Sequence, residues 1–571
     1  MQWKAAIGRN LLLSEFSHDP KWLNMIADLC NSNLGVTMAD RVRLIELNRR
    51  AGIDAMNASA YPAAQSFFSS AIKLFEEERE NNDELYLLHG TMAEACYCAG
   101  DFASMQHHLD QVLNQADFSM SAKLRLYATL VVSLSAQAKW DECISKGLAI
   151  LDLVGTKIPK ASTVRIVFEL VKTRRLVGSC PSEQLCGLPL LNDEVAIQTE
   201  RIFDILATAM YVSKSNTFPV LAFRHVQLCI RHGVGTYSPV PFALFGCILC
   251  GMIGDLKEGY RMGQVAMAIL TRLPNRACAS RTLLLFNAFV YHWQNPVHTG
   301  IKKYHRGYEI GMQLGDIESA MYHKLTAVIS AFCCGVKLEV VEQRGREACK
   351  LMRAYKQASS LNMAQSFWQT TLNLLGQSAD PVILEGEAVQ QVEFLQWLEE
   401  NKHEHGIAIL YSMQMQLAYF MGAPLQTMEE FLEKSKELPN VGLATVQAVR
   451  HIFYEGMAAY LLAEKTGKRR KWKRRATANK QKMKSWANQG NPNVTHTLAL
   501  LQAEEKVLEG RRDKAKKYYE QAITLAGKSG YQQDRALAHE RSGLNYLALE
   551  DTFWAKHHLS SAHDCYLHGE R

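Results

Sequence analysis

Few residue groupings in this chain could carry chemistry, and each has a definite structural requirement. The segment from Ala522 to Ser529 reads AITLAGKS, the loosened phosphate-loop pattern with Ala in place of the first Gly. A phosphate-binding loop needs a strand before it, backbone amides free to curl round the anion, and a helix after it. Here Ala522 ends a helical spacing that begins near Asp513. Ile523–Ala526 is therefore expected to stay helical, with Gly527 as the cap and Lys528 near the negative helix end. Cys229 and His232, followed by Cys247 and Cys250, imitate zinc-ligand spacing. Against that, Cys247 and Cys250 occupy small-residue positions of one helix, whereas His232 and Gly233 read as the end of another. Cys333–Cys334, His107–His108 and His557–His558 read as ordinary helix residues. Nucleophile elbow, HExxH and kinase triplet are all missing; Asp101 and Phe102 run into Ala103. No catalytic, cofactor-binding or metal-binding residue is assigned, and a non-enzyme is expected.

The remaining grouping is electrostatic. Between Lys465 and Lys484 there are eleven Lys or Arg and no acid; without them, 53 of the 64 basic residues face 57 acidic ones. The chain is thus slightly acidic with a single basic segment, which places nucleic acid low among its expected partners. Trp472, Ala476, Asn479, Met483 and Trp486 recur at helical spacing, so this segment can form a helix with a narrow apolar stripe. Lys468, Arg469, Arg470, Lys471, Lys473, Arg474 and Arg475 could then meet an acidic partner, an anionic lipid surface or a calmodulin-type groove. The preferred reading is plainer: the Trp side chains pack on the next helix and the charges are solvated.

These residues are positioned by helices. The chain has 571 residues, 48% of them hydrophobic and 21% charged, with 35 Gly and 14 Pro. That composition excludes collagen-like, mucin-like and largely disordered chains, and the length implies several packing units. Fourteen scattered Cys read as buried thiols of a reducing compartment. The longest apolar run near the start, Leu11–Leu13, is too short for a signal-peptide core. Pro241–Gly254 suits a buried helix better than a membrane span, which needs about 20 residues. A soluble cytoplasmic protein is expected.

Strand signals are nearly absent, while helical spacing recurs throughout. Ala503, Gly510, Ala515, Tyr519 and Ala522 form a template that returns as Gly543, Tyr546, Ala555, Leu559 and Ala562. The first half repeats it with Gly52, Ala64, Phe68 and Ala71. It continues from Ala93 through Gly100 and Asp101 to Leu109 and Val112, then from Val131 through Ala138–Trp140 to Ile150. Cys247, Cys250, Gly254, Gly259, Gly263 and Ala266 fit it in the middle. Small residues let two helices approach and a bulky one fills the gap beside them. The reading is an all-α solenoid of tetratricopeptide-like hairpins with a period near 40 residues, longer than the roughly 34 of the tetratricopeptide repeat itself. Expected divisions are repeats over 1–176, an ordered loop over 177–194, central repeats over 195–464, the basic helix over 465–489, and C-terminal repeats over 490–571.

Several stretches carry a family resemblance. They include Gly490–His496, Leu500–Glu504, Tyr519–Ile523 and Ala536–Glu540, and earlier Leu47–Gly52, Ala60–Ala64, Ala99–Phe102 and Leu188–Asp193. In order, they resemble the helical-repeat region of large multi-sensor signalling kinases. Those proteins join a serine/threonine kinase domain, an AAA or MalT-like ATPase, the helical region, and sensor and histidine kinase or cyclase modules. The resemblance implies the fold and a role as platform between an ATPase switch and its outputs. The family's kinase and nucleotide-binding residues have no matching positions here, the chain being expected to lie between the ATPase and the sensors. Expected partners are a protein or peptide, or neighbouring kinase, ATPase and sensor domains; a membrane surface ranks below these.

Overall fold

The computed structural model describes residues 2–14, 16, 19–31, 38–76, 83–113, 119–437 and 444–568. Among the described residues it is all-helical, with 28 α-helices, two π-helical turns and no strand; Leu190 and Val234 form an isolated bridge. No described helix is long and apolar enough to cross a membrane.

Consecutive helices pack in pairs, among them Met38–Asn57 with Tyr61–Glu76, Asp83–Cys98 with Phe102–Leu113, Val446–Lys465 with Arg469–Asn488, Thr495–Leu508 with Arg512–Lys528, and Gln532–Leu547 with Thr552–His568. The small-and-bulky pattern makes these pairs. Gly52 faces the Phe68 ring with no room for a Cβ, and a Cβ at Gly543 would lie 2.7 Å from Leu559 Cγ. Ala515, Tyr519 and Ala522 are buried, as are Ala555 and Ala562. The 177–194 stretch is not wholly a loop: it holds the helix Ser182–Cys186, which packs against Leu256–Arg272.

Many helix ends share one recipe. A backbone N–H reaches five residues back, and the residue before it adopts positive φ, the closing bond of a Schellman turn. Such bonds are donated by Ala60, Asp101, Lys139, Asp316, Val336, Gln357, Gln377, His403, Ala423, Asn491, Arg511, Tyr531 and Asp551. The positive-φ site is Gly at 100, 315, 335, 376, 422, 490, 510 and 530, but Ser59, Ala138, Lys356, Lys402 and Glu550 also take it.

Distant turns meet one another. Ser59 donates to Met312 O at 2.7 Å, the Tyr61 ring lies 6.4 Å from Tyr355, and Lys402 pairs with Asp141 at 2.6 Å. The side chain of Gln489 both donates to Gly254 O and accepts from Leu256 N–H, and Gln533 donates to Cys333 O at 2.8 Å. A strictly linear stack, in which each unit touches only its neighbours, would bring none of these together.

Candidate binding groove and cavity

Helix ends from separate parts of the chain enclose a groove with about 830 Å³ open to water. The turn after Ile317–Cys333 and the ends of Ala358–Leu374 and Glu404–Phe420 form one side. Val446–Lys465, Gln532–Leu547 and Thr552–His568 form the other. Its lining is mixed: Met421, Tyr566 and Leu567 are exposed, beside Gln416, Gln533 and Glu540. Exposed apolar side chains gathered in one groove and rimmed by polar residues are a feature of interaction sites. The frame is fastened at the floor, where Arg450 donates to Asp534 Oδ1 at 2.6 Å and to Tyr454, while His496 lies 2.7 Å from Asp534. Burial would raise the Asp534 carboxyl, but the Arg450 charge and the hydrogen bonds from His496 and Arg450 outweigh it and hold it at about 2.

A second space lies among Glu194–Val212, Pro239–Ile248, Ile317–Cys333 and Glu404–Phe420, with about 90 Å³ accessible to the centre of a water molecule. Tyr211, Leu244, Leu284, Phe289 and Ile409 make it almost wholly apolar. Both π-helical turns, Leu249–Ile253 and Phe286–Val290, contribute to its wall through Met252 and Phe289; such turns are frequent at functional sites. Within its lining Arg281 bridges Asp204 at 3.5 Å and Glu318 at 2.6 Å, and burial pushes His405 down to about 3. Neither space has a local sequence signature, because its lining comes from helices far apart in the chain.

The basic segment forms the helix Arg469–Asn488, and Trp472, Ala476, Met483 and Trp486 are buried. Its charges are more than solvated. Lys468 pairs with Glu429 at 2.5 Å and Lys471 with Glu433; Arg475 donates to Glu455 at 2.6 Å, and Lys480 pairs with Glu505. Arg469 donates to Leu508 O, and Lys473 is half-buried near Glu509. Arg470 and Arg474 point outward.

The phosphate-loop lookalike, up to Lys528, lies inside the helix Arg512–Lys528. The helix passes through Gly527, expected as its cap; Ser529 is the cap, and Gly530 takes the positive φ one residue on. The four zinc-spaced residues do not converge. His232 is exposed at its helix end, Cys247 points at Leu285 O and Cys250 at Leu256 O. Cys229 turns instead towards Glu200 and His225. His108 and His558, expected as ordinary helix residues, each meet a histidine on the facing helix: His89 Nδ1 lies 2.9 Å from His108 Nδ1, and His539 Nδ1 3.0 Å from His558 Nδ1.

No family model matches the chain. Hybrid signal transduction histidine kinase G of Dictyostelium discoideum is 20% identical over 389 residues, covering 62% of this chain and 11% of that protein. This chain therefore has distant similarity to a signalling histidine kinase, of whose length it spans 11%.

Proposed function

We propose that this chain is a non-catalytic, tetratricopeptide-like helical scaffold, the regulatory platform of a cytoplasmic signal-transduction kinase or ATPase. The repeat reading is supported by turn spacing. The closing bonds at Asn491, Arg511, Tyr531 and Asp551 recur every 20 residues, hence every 40 for equivalent turns; Asp316 and Gln357 are 41 apart, as are Ala60 and Asp101. Two hairpins also correspond at an offset of 450. His89 and His539, positive-φ Gly100 and Glu550, Asp101 and Asp551 capping the next helix, and His108 and His558 occupy matching positions. The signalling context is supported by the distant relative.

The observation that carries the scaffold role is the groove, lined by helix ends and turns drawn from between residues 332 and 567, so that a bound segment would bridge separate parts of the chain. Its occupant in this reading is a peptide or a neighbouring kinase, ATPase or sensor domain. Affinity capture with three forms of the chain tests it: wild type, Met421→Glu, and the double variant Arg470→Glu/Arg474→Glu. Loss of a signalling partner with Met421→Glu alone, at unchanged helicity, supports the groove. Loss with the double variant alone moves the interface to the basic helix.

A further inference from the structure

Eight carboxylates are buried among the described residues: Asp40, Glu169, Glu200, Asp204, Glu318, Glu455, Glu504 and Asp534. Seven are paired with arginine. Arg9 serves Asp40, Arg165 and Arg224 serve Glu169, and Arg281 serves both Asp204 and Glu318. Arg475, Arg541 and Arg450 serve Glu455, Glu504 and Asp534. Glu200 has no such cation. It accepts from Ser238 at 2.6 Å and from the Cys229 thiol at 3.4 Å through Oε1, and the Tyr237 backbone N–H also favours its charged form, while Oε2 meets no donor in good hydrogen-bond geometry. A buried carboxylate without a counter-ion is costly, and proteins satisfy such groups by pairing, protonation or metal coordination.

The surroundings favour the last of these. His225 and Cys229 lie four residues apart on Phe218–His232, so they project from one face of that helix, and Glu200 comes from the adjoining Glu194–Val212. One donor atom from each lies within 4.8 Å of the others, and all three residues are buried. His225 Nε2 is unpartnered in a fully buried ring. The 3.4 Å between sulfur and carboxylate oxygen matches two ligands of one tetrahedral zinc, with bonds of about 2.3 and 2.0 Å. Thiolate, imidazole and carboxylate together suit a borderline-soft divalent ion, and two anionic ligands leave the buried complex neutral.

We propose that Glu200, His225 and Cys229 form a binding site for a divalent transition-metal ion of the zinc type. On binding, the thiol and, where protonated, the carboxyl each release a proton to solvent, with no change in oxidation state. The ion fastens Glu194–Val212 to Phe218–His232 and, through the Ser238 contact to Glu200, to the turn that leads into Pro239–Ile248. All three helices also contribute to the wall of the apolar cavity, so the site stiffens that wall.

The full chain, purified after expression with zinc and separately loaded with cobalt, provides the test. About one zinc per chain is expected, with zinc-edge absorption showing a single sulfur scatterer near 2.3 Å. The cobalt form is expected to show a thiolate-to-metal charge-transfer band that Cys229→Ser and His225→Gln each abolish and Cys247→Ser leaves intact. A buried substitution can itself unfold the chain, so the wild-type zinc content and absorption spectrum stand as a readout independent of any variant. Wild-type protein that retains no zinc, or binds it with no sulfur or several sulfurs, overturns the proposal. A cobalt band that survives in folded Cys229→Ser does the same.

Discussion

Glu200 is the one buried carboxylate among the described residues that meets no arginine, and Ser238, Cys229 and His225 gather round it. In the sequence Cys229 stands nearest to His232 and looks forward to Cys247 and Cys250, all zinc-like in spacing. In the fold it meets Glu200, which lies on another helix, and His225, one turn back on its own. The His225 to Cys229 spacing was visible, but no periodicity ties it to a carboxylate 25 residues earlier. In metal-free protein the consequence is a pH dependence. Burial raises the Glu200 carboxyl from 4.5 to about 7, against hydrogen bonds from Ser238, Cys229 and the Tyr237 backbone. The folded pKa lies above the unfolded one, so stability is complete below about 4.5 and falls as pH rises towards 7, because the unfolded chain releases its proton first. With metal removed by chelation, Glu200→Gln should match wild type at pH 4 and exceed it at pH 8 by on the order of 2 kcal/mol. Denaturant titrations at the two pH values measure this; a difference that does not depend on pH would contradict it.

At the scale of the element, the basic helix was legible as a helix with a Trp-bearing stripe, and the structure buries that stripe. What its sequence could not reveal was the set of acids opposite it, Glu429, Glu433, Glu455 and Glu505, because those belong to other helices. Removing 465–489 would therefore strip a wall from the core, and single substitutions are the sound probes. Trp472→Ala should cost about 3–5 kcal/mol through the cavity it leaves. Arg474→Glu, on the outward side, should stay within about 0.5 kcal/mol. Equal losses in thermal unfolding would place the helix differently from its buried stripe. The hairpins were legible for a related reason: Gly52 against Phe68 and Gly543 against Leu559 are contacts between residues only 16 apart. Ala515 is fully buried where Thr495–Leu508 meets Arg512–Lys528, so Ala515→Trp should overpack and cost roughly 1–3 kcal/mol. An unchanged thermal midpoint would contradict close approach there. Gly527 illustrates the limit of such reading: both helix-capping glycine and helix interior fit its neighbours, and the turn forms at Gly530.

For the whole molecule, the helices follow from short-range spacing, whereas the meetings of their turns do not. Tyr61 reaches Tyr355, Gln489 reaches Leu256, and Gln533 reaches Cys333, each across a separation that no repeat template encodes. Loop-closure entropy rises only slowly with chain length, so contacts between such distant turns carry little extra penalty for their separation. The groove and the apolar cavity are lined by residues from helices far apart in the chain, which is why neither was visible in the sequence. In the function proposed above, the groove receives a segment of a signalling partner. A photo-crosslinking amino acid at Met421, with a matching label at outward-facing Arg474 as control, tests it in cells that express the full chain. The account predicts a covalent adduct at position 421, absent at 474, whose mass spectrum identifies a kinase, ATPase or sensor segment. Equal labelling at the two positions, or none above background at 421, would contradict it.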